Sequence, residues 1–366
     1  MSTSLDSALV ADHPSNLAVP VFVSLGLRAF ENYSQTRRVM KKSFIVSLVV
    51  MMAACSPSSH SIEGGISRND VLPSSDVPAS RVGQRGGGLS YEMLGTEVWD
   101  VPDPSTGRDY QVFVSLPPSY AEHPDRRFPV LYVTDADYAF PIVRQISRRL
   151  NGEGPAVSEF ILVGLSYAVG EDGMTSRRRD YTPTPRGAAS APAGSVHGMG
   201  SVYLEYVRDH VIPFVASRYR TIEEERYFLG HSYGALLGTQ ILFSEPGLFR
   251  GFILGSPSYW YDAHHMSRVE ESFAARNSDL PARIYMYVGE YEETKPGDAR
   301  FAKRYNMVTD SRRMVSSLRS RNFPSLQVHL DVLQDEDHLS VAPSGFTRGL
   351  KFIFAEAKAH SRPGDD

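Results

Sequence analysis

From about residue 92 onward, short continuous apolar runs alternate with segments of helical spacing, and this alternation restricts the fold more than any other feature. The runs FPVLYV, EFILVG, YFLG, GFILG and IYMYVG are typical of strands that are buried on both faces of a sheet. Parallel strands need crossover connections of helical length, and the intervening segments have that length. The alternation therefore predicts an α/β protein with a mostly parallel sheet and helices on both faces.

The pattern begins with two strand-like segments, TEVWDV and DYQVFVSLPP, which are joined by the turn-rich stretch PDPSTGR. This connection is too short for a crossover, so we expect the pair to be antiparallel. With the later strands, the sheet has about eight members, and the first pair is antiparallel. That order is the α/β-hydrolase fold, and we expect one catalytic domain over 92–358 without a separate second domain.

Three segments carry more specific expectations. The polar stretch 168–198 is too long for a simple connection and is therefore functional or mobile. The segment SVYLEYVRDHVIPFVASRY predicts one amphipathic helix, in which Pro213 introduces a kink. The segment FAKRYNMVTDSRRMVSSLRS predicts a helix over 301–320.

Residues 40–54 have the layout of a secretory signal, with two lysines, a short apolar core and small residues at the end. Cys55 follows directly and is the single cysteine of the chain, so no intramolecular disulfide can form. This arrangement resembles a bacterial lipobox, although Met52 replaces the usual leucine. It predicts lipidation of Cys55 and a periplasmic or secreted protein of the bacterial envelope, with an uncleaved anchor or plain secretion as the alternatives.

The segments around this signal are not expected to fold into the domain. Residues 1–39 precede a complete signal, so we interpret them as an extension from a mis-called start, with the true start at Met40. Residues 55–91 are rich in Ser, Gly, Pro and Asp, which predicts a flexible tether, and 359–366 predict a disordered tail. The net charge of −4 gives no indication of nucleic-acid binding.

Ser232 lies in the stretch GHSYG, between the strand-like YFLG and the helix-like YGALLG. Gly230 and Gly234 leave room for a sharp strand–turn–helix connection, from which a serine can project above the sheet. The N-terminus of the following helix favours a developing oxyanion. A small serine in a tight turn is the alternative, but the position after the fifth strand favours a nucleophile.

The partners of such a serine should follow the later strands of the sheet. His338 lies in a polar loop between the last strand and the last helix, which predicts a general base. The acidic loop after the seventh strand supplies the orienting acid, for which we favour Glu292. Glu290 and Glu293 are close competitors, and a serine–histidine dyad without an acid is also open.

Two backbone N–H groups would bind the oxyanion. One belongs to Tyr233, directly after the serine, and the other to Ala136 or Asp137 after the third strand. Asp135 and Asp137 would otherwise cap their loop or bind a metal. Because no second His/Asp cluster supports a metal, we expect neither a metal nor another cofactor.

Several segments together resemble the esterase-D-like family of putative esterases, over most of residues 93–356. They are FPVLYVTDADY, RRRDYTPT, YLEYVRDHVIPFVASRY, FLGHSYGALLG, FILGSPSYWY and DHLSV. The branch that is most similar contains the periplasmic esterases of enterobactin and salmochelin trilactones. This resemblance implies a serine carboxylic-ester hydrolase that forms an acyl-enzyme on a siderophore-type lactone or a similar ester.

The resemblance also implies residues that contact the substrate. Arg178 or Arg179 would hold an anionic or catecholate group, unless an arginine and Asp180 brace the loop instead. Trp260, with Tyr259, would form an aromatic wall, and core packing is the alternative. The Ala/Gly-rich insert at 185–200 departs from the family and would form part of a mobile rim.

Other functions compatible with these features are a feruloyl or acetyl esterase, and an acyltransferase of the same fold. A function of another class is a non-catalytic ligand-binding lipoprotein that keeps the fold. In each case the expected partners are a small-molecule ligand and a membrane that is reached through the N-terminal lipid anchor.

Overall fold

The computed structural model describes residues 83–84, 86–151, 157–188, 190–302 and 304–355. The expected extension 1–39, the signal 40–54, Cys55, most of the tether and the tail 359–366 lie outside these residues. Within the described ranges, no helix is both long enough and apolar enough to cross a membrane.

Eight strands of the described chain form one sheet, as the sequence predicts. They are β1 Thr96–Asp100, β2 Tyr110–Ser115, β3 Phe128–Val133, β4 Ile161–Ala168, β5 Thr221–His231, β6 Gly251–Gly255, β7 Arg283–Gly289 and β8 Gln327–Leu333. Their spatial order is β1-β2-β4-β3-β5-β6-β7-β8. The pairs β1–β2 and β2–β4 are antiparallel, and all other pairs are parallel.

Helices cover both faces of this sheet. They are α1 Ala136–Asn151, α2 Gly173–Asp180, α3 Gly200–Tyr206, α4 Ile212–Arg218, α5 Tyr233–Ser244, α6 Tyr261–Ala274, α7 Met307–Ser320 and α8 Ala342–Phe354. Helices α1 and α8 contribute to the core on one face, while α3 to α7 contribute to the core on the other. The α/β-hydrolase fold is thus confirmed.

The segment around Pro213 is helical without a break from α3 to α4, as the sequence predicts, but it contains a π turn. The π turn at Val207–Val211 lies between α3 and α4, and Pro213 lies in the first turn of α4. Proline has no N–H to donate to the preceding turn, so the wider hydrogen-bonding pattern accommodates it.

Two segments connecting β4 to α3 and β7 to α7 differ from the expectations. The stretch 168–198 contains helix α2, whose first turn is capped by Asp172 through bonds from the N–H groups of Met174 and Thr175. Helix α7 begins only at Met307, because the residues before it bond to the loop that follows β7. The N–H of Ala302 donates to the Tyr291 carbonyl, for example, over 2.7 Å.

Candidate active site

Ser232 occupies a strained turn between β5 and α5. Its backbone has φ 60° and ψ −116°, a conformation that is costly for a residue with a side chain. A Cβ at Gly230 would overlap the carbonyl of Gly234, and a Cβ at Gly234 would overlap the hydroxyl of Thr134 at the end of β3. The two glycines are therefore required by close contacts in the turn, as its spacing in the sequence indicates.

The structure brings Ser232, His338 and Glu292 together in one hydrogen-bonded line. His338 Nε2 lies 3.0 Å from Ser232 Oγ, and His338 Nδ1 lies 2.6 Å from Glu292 Oε2. An ionised carboxylate only accepts, so Nδ1 carries the ring proton of the neutral histidine. The lone pair of Nε2 is then free to accept the proton of the Ser232 hydroxyl.

Among the three candidate acids, Glu292 is the one whose side chain reaches His338. Its other oxygen accepts bonds from Ser256 Oγ at 2.6 Å and from the N–H of Gly289 at 2.8 Å. Glu290 instead accepts from the N–H of Asp335, and Glu293 accepts from the N–H and hydroxyl of Thr309. Glu292 is only 2% exposed, so its carboxylate is held where water competes little.

These contacts predict the effects of three matched substitutions. Glu292→Gln replaces the acceptor at His338 Nδ1 and allows the wrong tautomer, so we expect kcat to fall about 10³- to 10⁴-fold. Glu290→Gln and Glu293→Gln are the controls and should each retain kcat within about threefold. Steady-state kinetics on p-nitrophenyl butyrate would measure all three. A larger loss for either control than for Glu292→Gln would contradict the assignment.

The backbone N–H groups expected to bind an oxyanion lie at two adjacent helix N-termini. Tyr233 is the first residue of α5 and Ala136 is the first residue of α1. The tight contact between Gly234 and Thr134 brings these two helix starts together. N–H groups in a first helical turn have no intrahelical carbonyl partner, so both can point at a bound anion. The oxyanion roles of Tyr233 and Ala136 stay predictions.

The side chain of Asp135 contacts two residues from the segment that contains β4 and α2. Its carboxylate pairs with Arg177 Nε at 2.8 Å and accepts a bond from the Tyr167 hydroxyl at 2.8 Å. No group of three or more His, Cys, Asp or Glu side chains suited to a metal occurs in the described part of the chain.

The three consecutive arginines of α2 have different environments, because successive residues of a helix point about 100° apart. Arg179 is buried and pairs with Asp180 at 2.8 Å and with Glu171 at 2.6 Å. The expectation that Arg179 binds substrate is therefore corrected: it braces the segment. Arg178 is half-buried, and no carboxylate of the described residues pairs with its guanidinium, so it stays a candidate.

Arg177, which the sequence did not single out, connects both sides of the site. Besides pairing with Asp135, it donates to the His231 carbonyl over 3.2 Å, and its guanidinium lies 5.7 Å from the centre of the Tyr233 ring. Burial raises the pKa of Tyr233 to about 12, although Arg177 and Arg178 act to lower it. Recognising α2 as a helix would have separated Arg177 from its two neighbours.

The aromatic residues after β6 fall into two groups. Tyr259 is buried and its hydroxyl lies 3.0 Å from that of Thr239, so its expected place in an aromatic wall is corrected to core packing. Trp260 is half-buried and stacks on Tyr305 with ring centres 4.0 Å apart and planes 12° apart. Tyr305 was missed because the sequence pattern placed it inside a helix.

Ser258 is a second hydroxyl at the nucleophile that the sequence did not indicate. It is buried, and its Oγ lies 3.4 Å from Ser232 Oγ. Since Ser232 can give its proton to His338, Ser258 can donate to Ser232 in the resting site.

The pKa of His231, the residue before Ser232, is strongly lowered in the folded protein. Loss of water around the ring lowers its pKa well below the ordinary value, and the nearby His338 and Arg177 lower it further. Its other titratable neighbour is Tyr287, whose pKa is raised by burial. His231 is therefore neutral in the folded protein at pH 7.

This shift makes stability depend on pH in one direction. Below about pH 6.5 the unfolded chain protonates this histidine while the folded protein does not, so acidification favours unfolding. Above that pH the contribution of His231 to the free energy of unfolding is constant. We expect the difference in unfolding free energy between wild type and His231→Gln to change by up to ~1.4 kcal/mol per pH unit below pH 6.5. Urea titrations from pH 5 to 8 would measure it, with the exposed His329→Gln as control, and a constant difference would contradict it.

The chain is similar in sequence to known esterases. The model of the family described as putative esterase matches residues 104–331. The ferri-bacillibactin esterase of Bacillus subtilis is 25% identical over 76% of this chain and 96% of its own length. The siderophore triacetylfusarinine C esterase of Aspergillus fumigatus is 25% identical over 69% of this chain and 91% of its own length.

Solved structures show the same fold. The siderophore hydrolase EstB of Aspergillus nidulans superimposes with a TM-score of 0.63 at 22% identity, over 74% of this chain and 99% of its own. The BES protein of Bacillus cereus has a TM-score of 0.61 at 23% identity, with the same coverage. At such identities the likeness establishes the fold, whereas the family model spans more than half of the chain. The chain therefore belongs to the family of putative esterases.

Proposed function

We propose that the protein is a serine carboxylic-ester hydrolase that works through an acyl-enzyme. The observation that carries this proposal is the line from Ser232 through His338 to Glu292, with contacts of 3.0 and 2.6 Å. A hydroxyl with a base on one side, and an acid behind that base, is the arrangement that activates a serine nucleophile.

In the first half of the reaction, Ser232 Oγ attacks the ester carbonyl carbon while His338 Nε2 takes the hydroxyl proton. Glu292 stabilises the imidazolium, and the N–H groups of Tyr233 and Ala136 would hold the oxyanion. The tetrahedral intermediate then expels the alcohol, which receives the proton from His338. Water attacks the acyl-enzyme by the same steps and releases the carboxylic acid and free Ser232.

We further propose a siderophore-type lactone or a similar aromatic ester as the substrate. The names of the related proteins support this class, since they are esterases of ferri-bacillibactin and triacetylfusarinine C. The chain supports it too, because the stacked pair Trp260 and Tyr305 lies near Tyr233, and no carboxylate in the described part of the chain pairs with Arg178. An aromatic face and an unpaired guanidinium suit a ligand with aromatic rings and negative charge.

A fluorophosphonate probe tests the mechanism directly. We expect labelling of the wild-type protein, with the adduct located by mass spectrometry on the peptide that contains Ser232. No labelling would contradict the serine mechanism and would favour a non-catalytic binding protein.

A panel of ferric trilactone siderophores, feruloyl esters and acetyl esters tests the substrate class. Mass spectrometry of the products, with an added acceptor alcohol, would separate hydrolysis from acyl transfer. Faster turnover of feruloyl or acetyl esters than of trilactones would overturn the proposed class and leave the mechanism in place.

We also propose that the chain is anchored in a bacterial envelope membrane through lipid on Cys55. This proposal is based on the signal layout of 40–54. Labelling with a palmitate analogue should occur in the wild type and disappear in Cys55→Ala, and equal labelling of the two would contradict it.

A further inference from the structure

His231 contacts the main chain of the residue that the proposed function uses as its base. Its Nε2 lies 3.0 Å from the carbonyl oxygen of His338, and its Nδ1 lies 3.3 Å from the hydroxyl of Tyr287. The rings of His231 and His338 have centres 4.8 Å apart. The residue that precedes the nucleophile therefore touches the segment that carries the base, 107 positions further along the chain.

The partners determine which ring nitrogen carries the proton. A carbonyl oxygen only accepts, so Nε2–H of His231 donates to His338. Nδ1 then has a lone pair and accepts from the Tyr287 hydroxyl. The neutral state of His231 and the raised pKa of Tyr287 are both consistent with this chain of donors.

Tyr287 is held in place by the backbone around it. A Cβ at Gly255 on β6 would overlap its hydroxyl, and a Cβ at Gly345 on α8 would overlap its ring. The tyrosine is fully buried, and its ring is nearly parallel to that of His231 at 17°, with centres 6.0 Å apart. Two glycines thus make the space in which Tyr287 orients His231.

His338 needs such support because it lies on an exposed loop between β8 and α8. Its side chain is 37% exposed, and the next residue, Leu339, is 85% exposed. Glu292 holds the ring at Nδ1, and the N–H of Tyr291 fixes the carbonyl of Glu336 two residues earlier in the loop. The carbonyl of His338 itself is held by His231. A displacement of about 1 Å at a catalytic group can cost about 10²-fold in rate.

We propose that His231 is a positioning residue, which fixes the backbone of His338 through the Nε2–H···O bond so that the imidazole stays within reach of Ser232. This inference rests on the proposed function. A neutral histidine also suits the reaction, because a cation at this place would repel the imidazolium that forms on His338.

Two substitutions at His231 separate this role from simple packing. The amide nitrogen of His231→Gln can donate from nearly the position of Nε2, whereas His231→Leu fills the space without a donor. We expect the Gln variant to keep kcat within about threefold, and the Leu variant to lose about 10- to 100-fold in kcat with little change in KM. Equal losses in both variants, or no loss in Leu, would overturn the inference.

Tyr287→Phe tests the same bond if the Leu variant fails to fold. It removes only the hydroxyl that orients His231, and we expect kcat to fall about threefold with KM unchanged. A second readout without turnover is the low-field NMR signal of the His338 Nδ1 proton. It should persist in His231→Gln and broaden by exchange in Tyr287→Phe, and an unchanged signal and rate in Tyr287→Phe would overturn the inference.

Fluorophosphonate labelling distinguishes failure of the inference from failure of the proposed function. If the wild type does not label at Ser232, the proposed function fails. If the wild type labels and the donor-free variant labels at the same rate, the mechanism stands and the role of His231 is wrong.

Discussion

Ser232→Ala is expected to lower kcat/KM for an ester substrate about 10⁵- to 10⁶-fold. The substitution removes the oxygen that forms the acyl-enzyme in the proposed mechanism, while His338 and Glu292 stay in place. Alanine fits the same turn, since it is smaller than serine and meets the same cost at φ 60°. The loss should therefore appear in the rate and not in the melting temperature.

Initial rates on p-nitrophenyl butyrate, with titration of active sites to exclude contaminating wild type, would measure this loss. Ser320→Ala is the matched control, because Ser320 is exposed on α7 and its hydroxyl donates to the Ser317 carbonyl of the same helix. It should keep kcat/KM within about twofold. A loss smaller than about 100-fold in Ser232→Ala would exclude Ser232 as the nucleophile.

His338→Ala is expected to have an effect of similar size, about 10⁵- to 10⁶-fold in kcat. Without the imidazole, the Ser232 hydroxyl keeps its proton, and the leaving alcohol has no acid to protonate it. Because the serine and histidine act as one unit, the double variant Ser232→Ala/His338→Ala should be little worse than either single variant. Additive losses would show that the two residues act independently.

His329→Ala is the control for this substitution. His329 is exposed on β8 and its ring bonds to Asp331 over 2.8 Å. It has no part in the proposed mechanism. We expect kcat to stay within about twofold and the unfolding free energy to change by less than about 0.5 kcal/mol. If His329→Ala and His338→Ala lost the same activity, the assignment of the base would be wrong.

Much of the fold could be predicted because its signals are local. Strands such as Phe128–Val133 and Gly251–Gly255 are unbroken apolar runs between helical segments, and this pattern needs no knowledge of distant contacts. Helix α2 was missed because its sequence GMTSRRRD has no apolar stripe, and its start depends on the cap by Asp172. The start of α7 was misplaced because contacts with the β7–α7 loop override the helical pattern.

In the candidate site, too, some residues could be predicted from the sequence and others could not. Ser232 and His338 could be named because each follows a strand whose carboxyl end meets the same edge of the sheet. Three glutamates share the acidic loop, and their order along the chain does not show which one turns inward. The roles of Arg177, Ser258 and His231 also had no local signal, since each depends on partners from other strands and loops.

The sequence by itself determined the order of the strands and of most helices, the strained turn around Ser232 and the loops that hold the other reactive groups. These features follow from short-range sterics and hydrophobic periodicity, which neighbouring residues encode. Only the tertiary structure decided that Glu292 meets His338, that Arg179 is buried in ion pairs, and that His231 holds the His338 carbonyl. Such contacts join residues far apart in the chain, and their geometry exists only once the sheet is assembled.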